Sequence, residues 1–157
     1  MSKRGVKRGW VTAFTAVIVL FSAATAFSHC EIPCGIYDDQ MRVNMIAEHI
    51  KTIEKSMKYV KKLATEKPLN NNQLVRWIVN KEDHAEKLQE IVWQYFMTQR
   101  IKPEDENYTK KVTVLHKMLI YAMKCKQTTD VVHTATLRSL LDEFSKLYFS
   151  DHGHEHK

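Results

Sequence analysis

Glycine is nearly missing from this chain. Its 157 residues hold four, Gly5, Gly9, Gly35 and Gly153, and none falls between positions 36 and 152. Tight hairpins call for residues that accept positive φ, and no alternating apolar-polar run with turn glycines is present, so a β fold is excluded. Cysteine is scarce as well: Cys30, Cys34 and Cys125 allow at most one internal disulfide, which excludes a disulfide scaffold. No apolar run reaches the roughly 20 residues that comfortably span a bilayer, since the longest, Val11 to Phe21, is too short, and a permanent anchor is not expected. Basic residues form only scattered pairs such as Lys61-Lys62 and Lys110-Lys111, with no stripe of interleaved aromatics, so no nucleic-acid partner is expected.

What is present begins with a leader. Lys3, Arg4, Lys7 and Arg8 precede the apolar run, and the small residues Ser22, Ala23, Ala24, Thr25 and Ala26 follow it, which is the order of a secretory signal peptide over residues 1–28. Two cuts compete. Ala24-Thr25-Ala26 fits the small-x-small rule better and leaves Phe27 and Ser28 ahead of His29, whereas Ala26-Phe27-Ser28 makes His29 the first residue. Removing residues 1–28 from 157 leaves 129, enough for one domain with a modest core. It also removes four of 24 bases and none of 18 acids, so 20 bases against 18 acids leave +2 in place of +6. A slightly positive protein still attracts a small anion.

The rest reads as four amphipathic helices. In the first, Ile46, Ile50, Ile53, Met57, Val60 and Ala64 recur in steps of four and three, with Asp38 or Asp39 as cap and Pro68 as terminator. The second starts near Asn70 to Asn72, carries Leu74, Ile78, Ala85, Leu88, Val92 and Tyr95, and stops before Pro103. The third shows Val112, Leu115, Leu119 and Ala122. The fourth, capped near Thr129 or Asp130, shows Leu137, Leu140 or Leu141, Phe144, and Leu147 or Tyr148. Short connections make neighbours antiparallel, so the expected fold is all-α, an up-down-up-down four-helix bundle over residues 29–151. A polar, His-rich tail, residues 152–157, has nothing apolar to dock.

Chemistry concentrates behind the leader, in His29-Cys30-Glu31-Ile32-Pro33-Cys34-Gly35-Ile36-Tyr37. Pro33 and Gly35 oppose a regular helix, so a turn is expected, and in a turn two thiolates can converge on one ion. Thiolate with imidazole selects late transition metals over calcium or magnesium. A free α-amine and a deprotonated backbone amide would add two planar donors suited to nickel or copper, while the spacing alone equally permits tetrahedral zinc, a local disulfide or two unligated thiols.

The order His-Cys-x-x-Pro-Cys-Gly-x-Tyr-Asp at the start of a small helical chain resembles the nickel hook of the nickel superoxide dismutase family. The likeness continues through Asn80-Lys81-Glu82-Asp83-His84-Ala85-Glu86 and Trp93-Gln94-Tyr95-Phe96. The resemblance implies one nickel ion per subunit, held by His29 through its α-amine and imidazole, by Cys30 through its amide nitrogen and thiolate, and by Cys34 through its thiolate. It implies an antioxidant oxidoreductase that converts superoxide to dioxygen and hydrogen peroxide through Ni(II)/Ni(III) cycling. It also implies a homohexamer and a processing protease that exposes His29. Tyr37 matches the tyrosine beside the open face of the metal, Tyr95 a more distant tyrosine, and Pro33 the proline whose cis bond shapes the hook. Some relatives steady the axial imidazole with a glutamate and an arginine; here Met45 stands near the first place, with Glu48 one turn on, and His84 takes the second. The leader implies export to a periplasm, the exterior or an organelle lumen, whereas many relatives carry a short pro-segment cut in the cytoplasm, the alternative location.

Other candidates have ordinary explanations. Cys125 reads as a small buried thiol. His49, His84, His116 and His133 each stand alone in a helix, and Trp77, Trp93, Tyr95 and Phe96 read as core or subunit interface. The alternative function is a non-catalytic exported bundle that sequesters nickel, copper or zinc with the same thiols and the histidine tail.

Overall fold

The computed structural model describes residues 37–152, with side chains through Ser150. Four α-helices are present among them, and no strand: α1 Asp39–Leu63, α2 Asn71–Glu90, α3 Tyr108–Gln127 and α4 Val132–His152. Between α2 and α3 the chain continues without a break as a π-helical segment, Ile91–Arg100.

The helix starts follow from side chains that satisfy otherwise orphaned amides. Asp38 Oδ1 accepts from the Met41 amide at 2.8 Å, and Asn70 Oδ1 accepts from the Gln73 amide at 3.2 Å. Asp130 Oδ1 accepts from the Val132 amide at 3.0 Å. Before α3 no side chain caps; Asn107 instead turns the chain in the left-handed region at φ 58°, which asparagine tolerates better than most residues.

Cross-helix contacts give the topology. His49 meets His84 and Ser56 meets Asn80, so α1 and α2 run in opposite directions. Lys81 reaches Cys125 and Gln89 reaches Leu119, which sets α3 antiparallel to α2. Tyr121 lies by His133 and Lys111 by Tyr148, while Glu54 pairs with Arg138 and Asp39 with Tyr148, so α4 is antiparallel to both α3 and α1. This is the expected bundle.

The predicted stripes supply most of the core, but Ala64 is exposed, Val60, Val112 and Leu119 are only half-buried, and Met118 joins the core from outside its predicted stripe. Ile46, Ile50, Ile53 and Met57 of α1 are wholly buried, as are Leu115, Met118 and Ala122 of α3 and Leu137 and Phe144 of α4. Each large apolar side chain so buried contributes about 1.5–3 kcal/mol. Phe96 stands edge-on to Tyr95, Phe144 and Tyr148, closing one end of the core with aromatic rings.

The second stripe departs from its expected course. Ile78 is exposed and Leu74 only half-buried, and no residue of α2 is fully buried before Lys81. Packing begins at Ala85 and Leu88 and passes through Ile91, Val92, Tyr95 and Phe96. Trp77 stacks on Tyr59 at 4.3 Å on the surface, and Trp93 is exposed, so only Tyr95 and Phe96 of the four aromatics join the core. No helix among the described residues is long and apolar enough to cross a membrane.

Candidate functional site

His29, Cys30, Pro33 and Cys34 lie outside the described residues, as do His154 and His156 of the tail. Tyr37 is the first described residue; 42% of it is exposed, and it immediately precedes the cap Asp38. Asp38 opens the unit that runs to the last residue, and all packing described below lies within it.

The first residue of α1 is the centre of a polar cluster. Asp39 Oδ1 accepts from the Tyr95 hydroxyl at 2.6 Å and from Arg100 Nε at 2.9 Å, and Oδ2 accepts from Arg100 Nη2 at 2.7 Å and from the Tyr148 hydroxyl at 2.8 Å. Arg100 Nε also donates to the Tyr148 hydroxyl at 3.2 Å. One carboxylate therefore receives four hydrogen bonds from the π segment and the far end of α4. Burial disfavours its charge, but the bonds from Arg100, Tyr95 and Tyr148 outweigh that and hold the carboxyl below its ordinary range. The two phenols respond the other way: burial, and then the bond to a carboxylate, push both well above the usual tyrosine range, so each stays protonated and donates. Burial works against the Arg100 charge, yet the Asp39 bond leaves the guanidinium more firmly charged than in water.

The π segment makes this convergence possible. In an α-helix, residues five apart point about 140° from each other. With i→i+5 bonding they are close to one turn apart, and Thr98 to Trp93, Gln99 to Gln94 and Ile101 to Phe96 all bond across five positions. Tyr95 and Arg100 are five apart and reach the same oxygen. On the other side of Tyr95, the Arg42 guanidinium lies 5.0 Å from the ring centroid.

Ten residues along α1 from this cluster, His49 faces His84 of α2 with 2.9 Å between their Nδ1 atoms. Only one of the two nitrogens can carry the shared proton, so the rings hold opposite tautomers. Both imidazoles titrate below the ordinary 6.5: burial is the first cause for each, reinforced by His84 and Lys87 for His49 and by Lys87 for His84. Glu48 pulls both the other way, and Asp83 pulls His84 the other way.

Farther along α2, the Lys81 ammonium is buried against the end of α3. It donates to the Cys125 carbonyl at 2.9 Å and to the Lys126 carbonyl, and pairs with Glu82 at 2.9 Å. A cation there answers the unpaired carbonyls of the helix end. Cys125 itself is fully buried, as its sequence context implied.

Among the described residues no three histidine, cysteine or acidic side chains converge as a metal site would need. Asp39, Arg100, Tyr148 and the His49–His84 contact are not evident from sequence. Asp39 offers itself first as a helix cap, and its partners lie 56, 61 and 109 positions away. The available signal was weak: a charged Arg100 beside an apolar run, and a tyrosine in the inward stripe of α4 with a hydroxyl that needed a partner.

A family model described as nickel-containing superoxide dismutase matches residues 23–152. The match runs from residue 23 through the whole His29–Tyr37 segment and all four helices. No curated protein and no solved structure matches the chain.

Proposed function

The chain belongs to the nickel-containing superoxide dismutase family and is an oxidoreductase with a nickel cofactor, and from that premise we propose that residues 29–37 hold the metal. The observation that carries this is the extent of the match, which takes in His29, Cys30 and Cys34 together with the bundle. The donor set fits the ion. Two thiolates, an imidazole, an amine and an amide nitrogen are soft or strongly donating, and together they favour a late transition metal and its higher oxidation state. When bound, nickel supplies a one-electron couple, Ni(II)/Ni(III), so that two superoxide anions and two protons become dioxygen and hydrogen peroxide.

The chain's own residues do the remaining work. His29 gives its α-amine and imidazole, Cys30 its amide nitrogen and thiolate, and Cys34 its thiolate. Tyr37, open to solvent, offers its hydroxyl to a water or to the incoming anion. Pro33 shapes the turn. Tyr95 and His84 are assigned to the metal's surroundings by the family resemblance alone; Tyr95 donates to Asp39, and His84 shares a proton with His49. The amine requirement places the leader cut before His29, by a processing protease, and the leader order supports export to a periplasm, the exterior or an organelle lumen; a cytoplasmic pro-segment is the alternative. A homohexamer agrees with the exposed Val75, Ile78 and Val79 at the partly unpacked start of α2. Membership in an enzyme family favours the dismutase over the non-catalytic bundle.

Cys30→Ser tests the ligand set. The nickel-reconstituted variant is expected to keep its far-ultraviolet helical signal and lose nickel-dependent superoxide decay by at least about a hundredfold, the upper range for disturbing a metal's surroundings. Wild-type decay rates with stoichiometric nickel would remove Cys30 from the site.

A further inference from the structure

Two polar side-chain contacts join α1 to α2, and they differ in chemistry. Asn80 donates to the Ser56 hydroxyl at 2.9 Å, a contact that needs no titratable group. His49 and His84 make the other, with Nδ1 facing Nδ1 at 2.9 Å. Imidazole is the commonest metal ligand among side chains, and either ring nitrogen can serve. Neither ring has another hydrogen-bond partner among the described residues. The rings are not stacked: their planes are inclined at 67°, with centroids 5.0 Å apart. Both are half-buried, so an ion can reach them from solvent. The helices hold them in place. Ile50 and Ala85, each the next residue along the chain, are wholly buried in the core, and side chains on packed helices keep a geometry better than those on loops.

The separation of the two nitrogens carries the argument further. With metal–nitrogen bonds of about 2.0–2.1 Å, two nitrogens at right angles around an ion lie about 2.9 Å apart, and two at the tetrahedral angle about 3.3 Å apart. The observed 2.9 Å matches the right-angled arrangement, which suits Ni(II) or Cu(II) better than tetrahedral zinc. Nickel is the ion of this chain's family. Each histidine also follows an acid, in Glu48-His49 and Asp83-His84. Glu48 acts on both rings and Asp83 on His84, against the ammonium of Lys87, so a cation between the rings meets more acid than base. We propose that His49 and His84 form a second metal site, a two-nitrogen clamp for Ni(II) that bridges α1 and α2. Two side-chain donors are fewer than the three or more of a closed or catalytic centre, which the described residues nowhere assemble, so water fills the remaining positions and the ion exchanges readily. Without the ion the nitrogens share one proton; with it, the donor ring carries that proton on Nε2 instead, and none is released. The site lies wholly within the bundle and does not depend on the reading of residues 29–37.

Ni(II) alone is the probe, offered in excess to the mature protein at neutral pH, with nickel per subunit measured by equilibrium dialysis. The wild type is expected to bind one more nickel per subunit than His49→Gln, and the ring resonances of His49 and His84 should shift or broaden as that equivalent is added. His49→Gln should weaken the added equivalent at least about tenfold and remove most of the rise in melting temperature that excess nickel produces. His84→Gln should do the same, and serves alone if His49→Gln does not fold. Equal nickel uptake by the wild type and both variants, or uptake that leaves the two rings' resonances unmoved, overturns the site and leaves a hydrogen bond between helices. Cys30→Ser separates this site from the one proposed at residues 29–37: it should lose the nickel held there and keep the equivalent that His49→Gln removes.

Discussion

Cys125 carries the same thiol as the proposed ligand Cys30, in a setting that removes its reactivity. Cys125 is sealed in the core beneath Lys81, and burial pushes its thiol up to about 12 against only a partial opposing pull from the Lys81 ammonium. It stays protonated and is neither ligand nor nucleophile. Cys125→Ala should therefore leave nickel content and dismutation per nickel unchanged, with a modest fall in melting temperature from the small cavity, of order 1 kcal/mol. Loss of nickel in that variant would show that Cys125 takes part in the centre. The same scale explains what sequence reveals of a site. The residue types at 29, 30 and 34 stand out as candidates for metal binding by identity and spacing, without fixing the metal, whereas Asp39 is one acid among 18 until Tyr95, Arg100 and Tyr148 are placed around it.

At the scale of elements, the apolar stripes and caps were legible because they are local. Ile46, Ile50, Ile53 and Met57 lie inside as their spacing predicts, and Asp38 and Asn70 cap where expected. The π segment was not legible. No proline or glycine marks Ile91–Arg100, and its register is set by the tertiary bonds of Tyr95 and Arg100 to another helix. The His49–His84 contact escaped for a similar reason, since each histidine stands alone in its own helix. That contact makes the joint between α1 and α2 sensitive to acid. Both imidazoles titrate lower in the folded chain than the ordinary 6.5, so the unfolded chain binds protons first. Their stabilising contribution is then full above about pH 6.5 and is lost as pH falls through the lower folded values. The melting temperature, compared at matched nickel content, should drop between pH 7 and pH 5, and His49→Gln should flatten that slope. An equal slope in the variant would mean that the pair does not govern it.

For the described bundle, three elements meet at one end: α1 begins there, and the π segment and α4 finish there, bound together through Asp39. Four of the 24 basic residues and none of the 18 acids lie in residues 1–28, so if these are removed as proposed the formal charge falls from +6 to +2, a mild attraction for an anionic substrate rather than a surface for nucleic acid. The fold was readable from sequence because helix periodicity and short connections leave few arrangements. The proposed metal centre was readable only through its resemblance, because two of the donors proposed for it, the amine of His29 and the amide of Cys30, are backbone groups with no letter of their own. An amine-ligated nickel centre requires a free terminal amine at His29. It is tested most directly by comparing superoxide decay for the nickel-loaded protein that begins at His29 with the same protein carrying one added alanine before His29. Rapid nickel-dependent decay in the first and its loss in the second, with identical helical circular dichroism, is the result predicted here; equal decay by the two would contradict an amine-ligated nickel centre.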